Sequence, residues 1–505
     1  LFGALSLALG QDANWDFENY HWYNAYALLH GRIGRDVLVS QTPSFYNPLI
    51  DVPFYLAATH LPARLLGFMI GMVQGSNAIL LFLLARGVIR RPDPMRTTLA
   101  IGVAAVGMVG GGMLGEVGTI FGDNIVSLGL FGGLLILLPY AAAPTRPAHF
   151  AIFAGILMGA AAGLKQPHFV YCAGIGLAVL TLPGSPKRRL TIAAWLAAGG
   201  VIGVALTAGF WMVHLAQAYG NPLFPFFNNI FHSPFGATNR DFRDTVLMPK
   251  SVTAALFYPI FFTVNPFLSG EVNERAPAIM ALFMLMIAMA VVTLTRWKRP
   301  SYERLTDPTG ARFLLAAMAI SYLFWLKMFS IYRYIVPLEM LAPLGVLLAF
   351  DVWPIALRFK AATVAALLAI CAATGVRGDW GRVPWHAHYV EIDAPKLAPD
   401  TLVMMAGYEP IGFIAAGLPP QFTVLRIQSN FLHPGDTPSQ FTAIMTDQIA
   451  KHQGPLVVIY LRSDLPNVEQ AMRDYHLTLD QASCRDIPNS LDDRGIVLCD
   501  VAKQP

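Results

Sequence analysis

Charge is what this sequence has least of. Only 13% of its 505 residues are Asp, Glu, Lys or Arg, while 55% are hydrophobic. An average soluble domain carries about 25% charge, so a soluble globular protein is excluded and a polytopic membrane protein is expected. The formal net charge of +4 is small, which argues against a nucleic-acid partner and makes the placement of Lys and Arg more informative than their sum. A P-loop, a Rossmann glycine pattern and a nucleotide-sugar site are all missing, so a nucleotide-borne donor is not expected. No clear internal repeat is visible, which disfavours a transporter. A polar pore-lining helix is missing too, which disfavours a channel. His168, His214 and His232 lack the spacing of a metal set and read as interface or loop histidines.

What is present begins with the apolar opening "LFGALSLALG", about half of the ~20 residues needed to cross a bilayer. It is expected to be the end of a first span, with a cleaved signal peptide as the alternative. Apolar runs then recur, and basic residues fill every second gap: 86–96, 144–149, 183–190, 295–312 and 357–360. The intervening gaps 115–124, 163–168, 215–276 and 328–334 are poor in them. By the positive-inside rule the basic gaps are cytoplasmic and the others face outward. The alternation runs without contradiction through about eleven spans, counting the partial first. Beyond residue 376 the composition turns ordinary. Short β-like runs such as "FTVLRI" and "PLVVIYL" alternate with helix-like polar stretches, as in a small α/β domain. The expected fold is therefore mainly α: a transmembrane helical bundle over 1–376 with amphipathic outer-loop helices, and a C-terminal extracytoplasmic α/β domain over 377–505.

Of four cysteines, Cys172 and Cys371 fall inside expected spans as inert thiols. Cys484 and Cys499 share the outer domain, where an even pair reads as a disulfide closing a short loop, with two unpaired thiols as the alternative.

Ionisable groups at a bilayer are costly and are candidates for function by default. Here they gather at the outward ends of spans: Asp12, Asp16, Glu18 and Asp51 in the first outer loop, Glu116 and Asp123 in the second, then Lys165, His168, Arg333 and Glu339. A carboxylate there can take a proton from a hydroxyl or hold a divalent cation. Lys and Arg at the same depth can hold a lipid-linked phosphate as it leaves. Trp15, Tyr20, Trp22 and Tyr23 suit either an interface belt or a sugar-stacking floor.

The stretch "DFENYHWYNAYALLHGR", followed by "FYNPLIDVPFYL", resembles the first outer loop of the GT-C glycosyltransferases, in the manner of family 87 and the aminoarabinose-transferase-like branch. Those integral membrane enzymes pass a sugar from a polyprenyl phosphate to an acceptor on the outer face. Asn47-Pro48-Leu49 stands where that pattern often has two prolines. "GDNIVSLGLF", "AGLKQPHFVY", "YGNPLFPFFNNIF" and "YRYIVPLEML" resemble later parts of the superfamily more loosely.

The resemblance implies roles. Asp16, spaced four residues from Tyr20, matches the base that deprotonates the acceptor, with Asp12 as the alternative. Asp123, with Glu116 beside it, matches a second-loop acid that positions sugar or binds metal. Carboxylates suit Mg or Mn, but some relatives need no metal, and the residues do not decide it. Arg333, with neighbouring Tyr334, and Lys165 are expected to grip the donor phosphate, against simple snorkelling of their long stems. Arg240 and Arg243 lie in a long loop placed to cover the site.

The expected activity is an inverting hexosyl- or pentosyltransferase acting on a lipid or glycan acceptor at the outer face of a bacterial inner membrane. A transporter or flippase of lipid-linked glycans, or a glycan ligase or polymerase, is the alternative.

Overall fold

The computed structural model of the chain describes all residues except 144, 238, 239, 241, 296–302, 433–438 and 505. Parts of the basic stretches 144–149 and 295–312 thus lie outside the described residues. The chain is mainly helical, 61% of it, with a small sheet region at its C-terminus. Among the described residues six helices are long and apolar enough to cross a membrane: Ala63–Val88, Asp123–Ala142, Pro186–Tyr219, Pro308–Met328, Tyr332–Phe350 and Leu357–Thr374. Met95–Gly107, Ala148–Leu164 and Pro277–Val292, expected from their composition as further spans, are apolar but shorter. Local chemistry ends two of them. The first runs into Gly110-Gly111-Gly112, and the second stops at a turn holding Pro167, where a proline cannot continue the backbone ladder.

The helix over Tyr332–Phe350 is the axis of the bundle, 89% buried, whereas Pro186–Tyr219 and Leu357–Thr374 sit at the rim, each 22% buried. The long rim helix meets Ala151–Leu164 through glycines spaced four apart. A Cβ on Gly159 would lie 2.2 Å from the Gly200 carbonyl oxygen, and one on Gly203 would lie 2.3 Å from that of Ile156. Only glycine lets the two backbones come this close, the small-xxx-small packing of membrane helices.

Two tiny strands, β1 (Gln11–Asp12) and β2 (Arg382–Val383), pair antiparallel and tie the start of the first loop to the segment leaving the helix Leu357–Thr374. The C-terminal sheet comprises β3 (Leu402–Met405), β4 (Val424–Arg426), β5 (Leu456–Leu461), β6 (Leu477–Leu479), β7 (Arg485–Asp486) and β8 (Ile496–Lys503). Its order is β4-β3-β5-β8-β6 with β7 also on β8. β3, β4 and β5 run parallel and β8 returns antiparallel. The strand "LVVIYL" is buried on both faces, as a covered parallel strand must be. Val403, Met405, Val457 and Ile459 point into a core shared with Phe17, Trp22 and Tyr26 of the first loop. Met404, Val458 and Tyr460 face the opposite core with Phe441, Met445 and Val468 of the domain's own helices. One face of the sheet is thus covered by the membrane-proximal first loop. Cys484 and Cys499 are disulfide-bonded across 15 residues, with Cα atoms 4.1 Å apart.

Candidate functional site

Immediately after the short helix Phe2–Leu9, the chain is held by the segment that leaves the helix Leu357–Thr374. Asp12 is completely buried, and its carboxylate accepts the Asn14 amide N–H (3.2 Å), the Asn14 side-chain NH2 (2.5 Å) and the Ile120 N–H (2.8 Å). All its polar capacity goes to holding the loop. Asn14 in turn accepts the Phe17 N–H at 2.9 Å, which starts the next helical turn. That turn, Phe17–His21, is a π-helix that runs into the α-helix Trp22–Leu29. Single π turns inside helices recur at functional sites, and this one begins directly after Asp16.

Asp16 meets Arg333 at 2.7 Å, a contact between residues 317 apart in sequence. Tyr20, one turn along, donates its hydroxyl to the same carboxylate oxygen at 3.0 Å. The side chains of Asp16 and Arg333 are 14% and 9% exposed, so the pair is largely withdrawn from water. Burial alone would raise the Asp16 carboxyl, but Arg333, His21 and Lys165 together outweigh it and hold the group below its ordinary value. Arg333 sits in the turn Tyr332–Ile335 at the head of the axial helix. Its guanidinium lies 4.4 Å from the Phe121 ring centre and 5.1 Å from that of Trp380, distances at which aromatic faces attract a cation. Glu271 approaches its other nitrogen at 3.6 Å and is half-exposed, so this side of the cluster opens to solvent.

Next to this pair lies a second one. Lys165 forms an ion pair with Asp123, donates to the Phe121 carbonyl oxygen at 2.6 Å, and lies 5.6 Å from the Tyr334 ring centre. Tyr334 also lies 5.8 Å from Arg333, so one ring flanks both cations. His168 is buried 3.7 Å from Asp123, and burial pulls its imidazole down to about 4, which keeps it neutral. On the far side of Tyr20, His21 bonds Asp51 at 2.7 Å.

Acids are in excess here. Glu116 and Glu274 are buried with no hydrogen-bond partner on either carboxylate oxygen, and burial, reinforced by neighbouring acids, lifts both well above the usual range. Glu339 accepts the N–H groups of Gly112 and Met113 (3.1 and 3.2 Å), pinning the second loop to the axial helix. Among the described residues no group of three His, Cys, Asp or Glu side chains is arranged to hold a metal ion.

The first loop is also clamped from outside. Arg494 reaches Asp492 (2.6 Å), Glu409 (2.9 Å) and Glu18 (3.3 Å). Arg32 pairs with Asp36 and donates to the Pro420 carbonyl oxygen at 2.7 Å. The fully buried Arg426 donates to the carbonyl oxygens of Gly407 and Glu409 (2.8 and 2.7 Å). Arg240 donates to the Asn430 and Phe431 carbonyl oxygens (3.0 and 3.2 Å), reaching the C-terminal domain, and Arg243 is half-buried on the same loop.

Asp16, Tyr20, Asp123, Lys165, Arg333 and Tyr334, picked from separate stretches of sequence, are therefore brought together, with Glu116 nearby. Asp12 is set apart by its structural bonds. Sequence reasoning missed Glu271, Phe121 and Trp380. Glu271 carried the same signal as the others, an acid at the edge of a loop between apolar helices. The aromatic partners of Arg333 carried none, because Trp and Phe are common at every membrane edge. No family model, curated protein or solved structure matches the chain.

Proposed function

We propose that this chain is an inverting glycosyltransferase that moves a sugar from a polyprenyl-phosphate carrier to an acceptor hydroxyl at the outer face of a bacterial inner membrane. The observation that carries the reading is the Asp16–Arg333 pair, a carboxylate and a guanidinium 2.7 Å apart at the head of the axial helix. In this reading the apolar helices, the short ones included, make about eleven spans, and the C-terminal domain lies outside.

The chemistry follows from the two groups. Asp16 is held ionised, so it can accept the proton of an acceptor hydroxyl brought within hydrogen-bond reach. The acceptor oxygen attacks the anomeric carbon from the face opposite the phosphate, and the carbon–oxygen bond to phosphate breaks with its electron pair. Arg333 and Lys165 take up the charge on the departing lipid phosphate. A good leaving group of this kind needs no strong acid. As the phosphate engages Arg333, the guanidinium is shared, its hold on Asp16 weakens, and the carboxylate becomes a better base at the moment it is needed. Tyr20 keeps the carboxylate oriented, and Asp123, paired with Lys165, sets the position of the second cation.

The test incubates the purified protein with a panel of polyprenyl-phosphate monosaccharides and hydroxyl acceptors and follows the glycosylated product. Asp16→Asn, which keeps an oxygen for Tyr20, should lower kcat by about 10²–10⁴, the span of a general base. Transfer that survives this change removes Asp16 as the base. Carrier binding without transfer by the parent protein overturns the enzymatic reading in favour of a transporter.

A further inference from the structure

The long loop before the helix Pro277–Thr295 contains a segment whose chemistry does not suit a solvent-exposed connector. Residues 251–270, "SVTAALFYPIFFTVNPFLSG", include no charged side chain. They fold as three short pieces, Val252–Leu256, Tyr258–Val264 and Pro266–Leu268, with Pro259 and Pro266 each in the first turn of a piece.

The inner face is fastened to the bundle. Tyr258 and Phe262 pack against Trp325, and Phe262 also meets Tyr332 with ring centres 5.8 Å apart. The outer face is the reverse: Phe257, Phe261 and Val264, at helical spacing, are 42%, 40% and 69% exposed, and Val252, Leu256 and Phe267 join them. Tyr258–Val264 packs on the apolar helix Pro277–Thr295, whose own Met284, Ile287 and Val291 are exposed. The apolar surface is thus continuous from the segment onto that helix.

From this we infer that residues 251–268 are a bilayer-embedded, non-spanning element whose Phe257–Phe261–Val264 face contacts lipid acyl chains. A patch of this extent marks a membrane or protein contact, and two observations favour lipid. Packing against an apolar helix that itself exposes Met284, Ile287 and Val291 is the first. Pairing of backbone N–H groups within the segment is the second, since a bilayer offers no water to pair them. The N–H groups of Ala255, Phe257, Phe261, Asn265 and Ser269 all find carbonyl oxygens within the segment. The Tyr258 hydroxyl sits within 2.5 Å of the Leu247 and Leu268 carbonyl oxygens, and Thr263 donates to Pro259 at 2.6 Å. Two prolines keep the segment from becoming one straight helix, so it enters and leaves the same side.

The placement couples the bilayer to the Arg333 site, because the Ser269 carbonyl accepts the Tyr332 N–H at 2.6 Å and Glu271 faces Arg333. The inference does not depend on the chemistry proposed above.

Single cysteines at 257, 261 and 264, in a Cys172→Ala/Cys371→Ala background reconstituted in vesicles, would be spin-labelled and compared with controls at 323 and 447. Leu323 is exposed on a candidate span and Asp447 on the C-terminal domain. Labels on the segment should match 323, with severalfold more broadening by oxygen and severalfold less by a water-soluble nickel chelate than at 447. Nickel access equal to that at 447 overturns the inference, because the face is then in water. Protection from both reagents also overturns it, because the cover is then protein. Transfer activity enters neither readout.

Discussion

Taking the guanidinium away from Asp16 has consequences that can be worked through in advance. Arg333→Gln strands a carboxylate that is 14% exposed. Removing one partner of a buried ion pair costs about 3–5 kcal/mol, since the other charge is left uncompensated. Asp16 keeps the Tyr20 hydroxyl at 3.0 Å, a bond worth about 1.5–3 kcal/mol to a charged acceptor, so the loss should fall near the lower end, about 3 kcal/mol. In the double variant Asp16→Asn/Arg333→Gln the Asp16 charge is no longer stranded, while the loss of the Glu271 contact is common to both Arg333 variants, and the cycle should return a coupling of about 2 kcal/mol. Reversible unfolding by SDS in mixed micelles measures all four corners. The sign of the pH effect is also determined. In the parent the Asp16 carboxyl lies below its ordinary 3.8, so its contribution is present above that value and is lost as pH falls through the lower folded one. With Arg333 gone, burial becomes the dominant influence and the group moves upward, so in the variant its contribution is lost as pH rises through the raised value, the reverse of the parent. A coupling under about 0.5 kcal/mol, or a variant whose Asp16 contribution is lost on the acid side as in the parent, refutes the reasoning.

Gly159→Leu should push two membrane helices apart, since even a Cβ would meet the Gly200 carbonyl at 2.2 Å. A melting temperature in detergent within a degree or so of the parent would contradict the close packing. Gly200→Ala is the control, because a Cβ there meets nothing within 4 Å. Reducing the Cys484–Cys499 bridge opens a loop of 15 residues and should cost about 3 kcal/mol of C-terminal domain stability, read as faster limited proteolysis under dithiothreitol; an unchanged cleavage rate argues against a structural bridge. Burial, then the Asp492 carboxylate, outweigh Arg494 and push Glu18 up to about 9. A raised carboxyl gives stability that is full below 4.5 and is lost as pH rises through about 9. Glu18→Gln should therefore flatten the alkaline decline in melting temperature, and an identical decline in both proteins sinks this assignment.

The long apolar helices, the basic gaps and the acids and bases at the ends of apolar runs could all be read from the chain. Charge is scarce there because a bilayer penalises it, so each exception stands out. Asp16, Lys165 and Arg333 belong to that legible set, and so does Glu271, which the same logic covered but did not single out. The glycine spacing at 155, 159 and 163 is a signal for close helix packing that sequence reasoning passed over.

What only the folded chain decided is how those exceptions divide. Asp12 and Asp16 lie four residues apart and look interchangeable on paper. One is fully buried under three accepted hydrogen bonds, and the other faces a guanidinium from 317 residues away. Glu18 turns to the C-terminal domain instead. The number of full-length apolar helices shifted for a similar reason, since hydropathy counts apolar residues whereas glycines and prolines set where a helix stops. Composition fixes the solvent a chain can tolerate, because transfer energies belong to single residues. Partnership between charges depends on distance and enclosure, and these exist only once remote segments have been packed together.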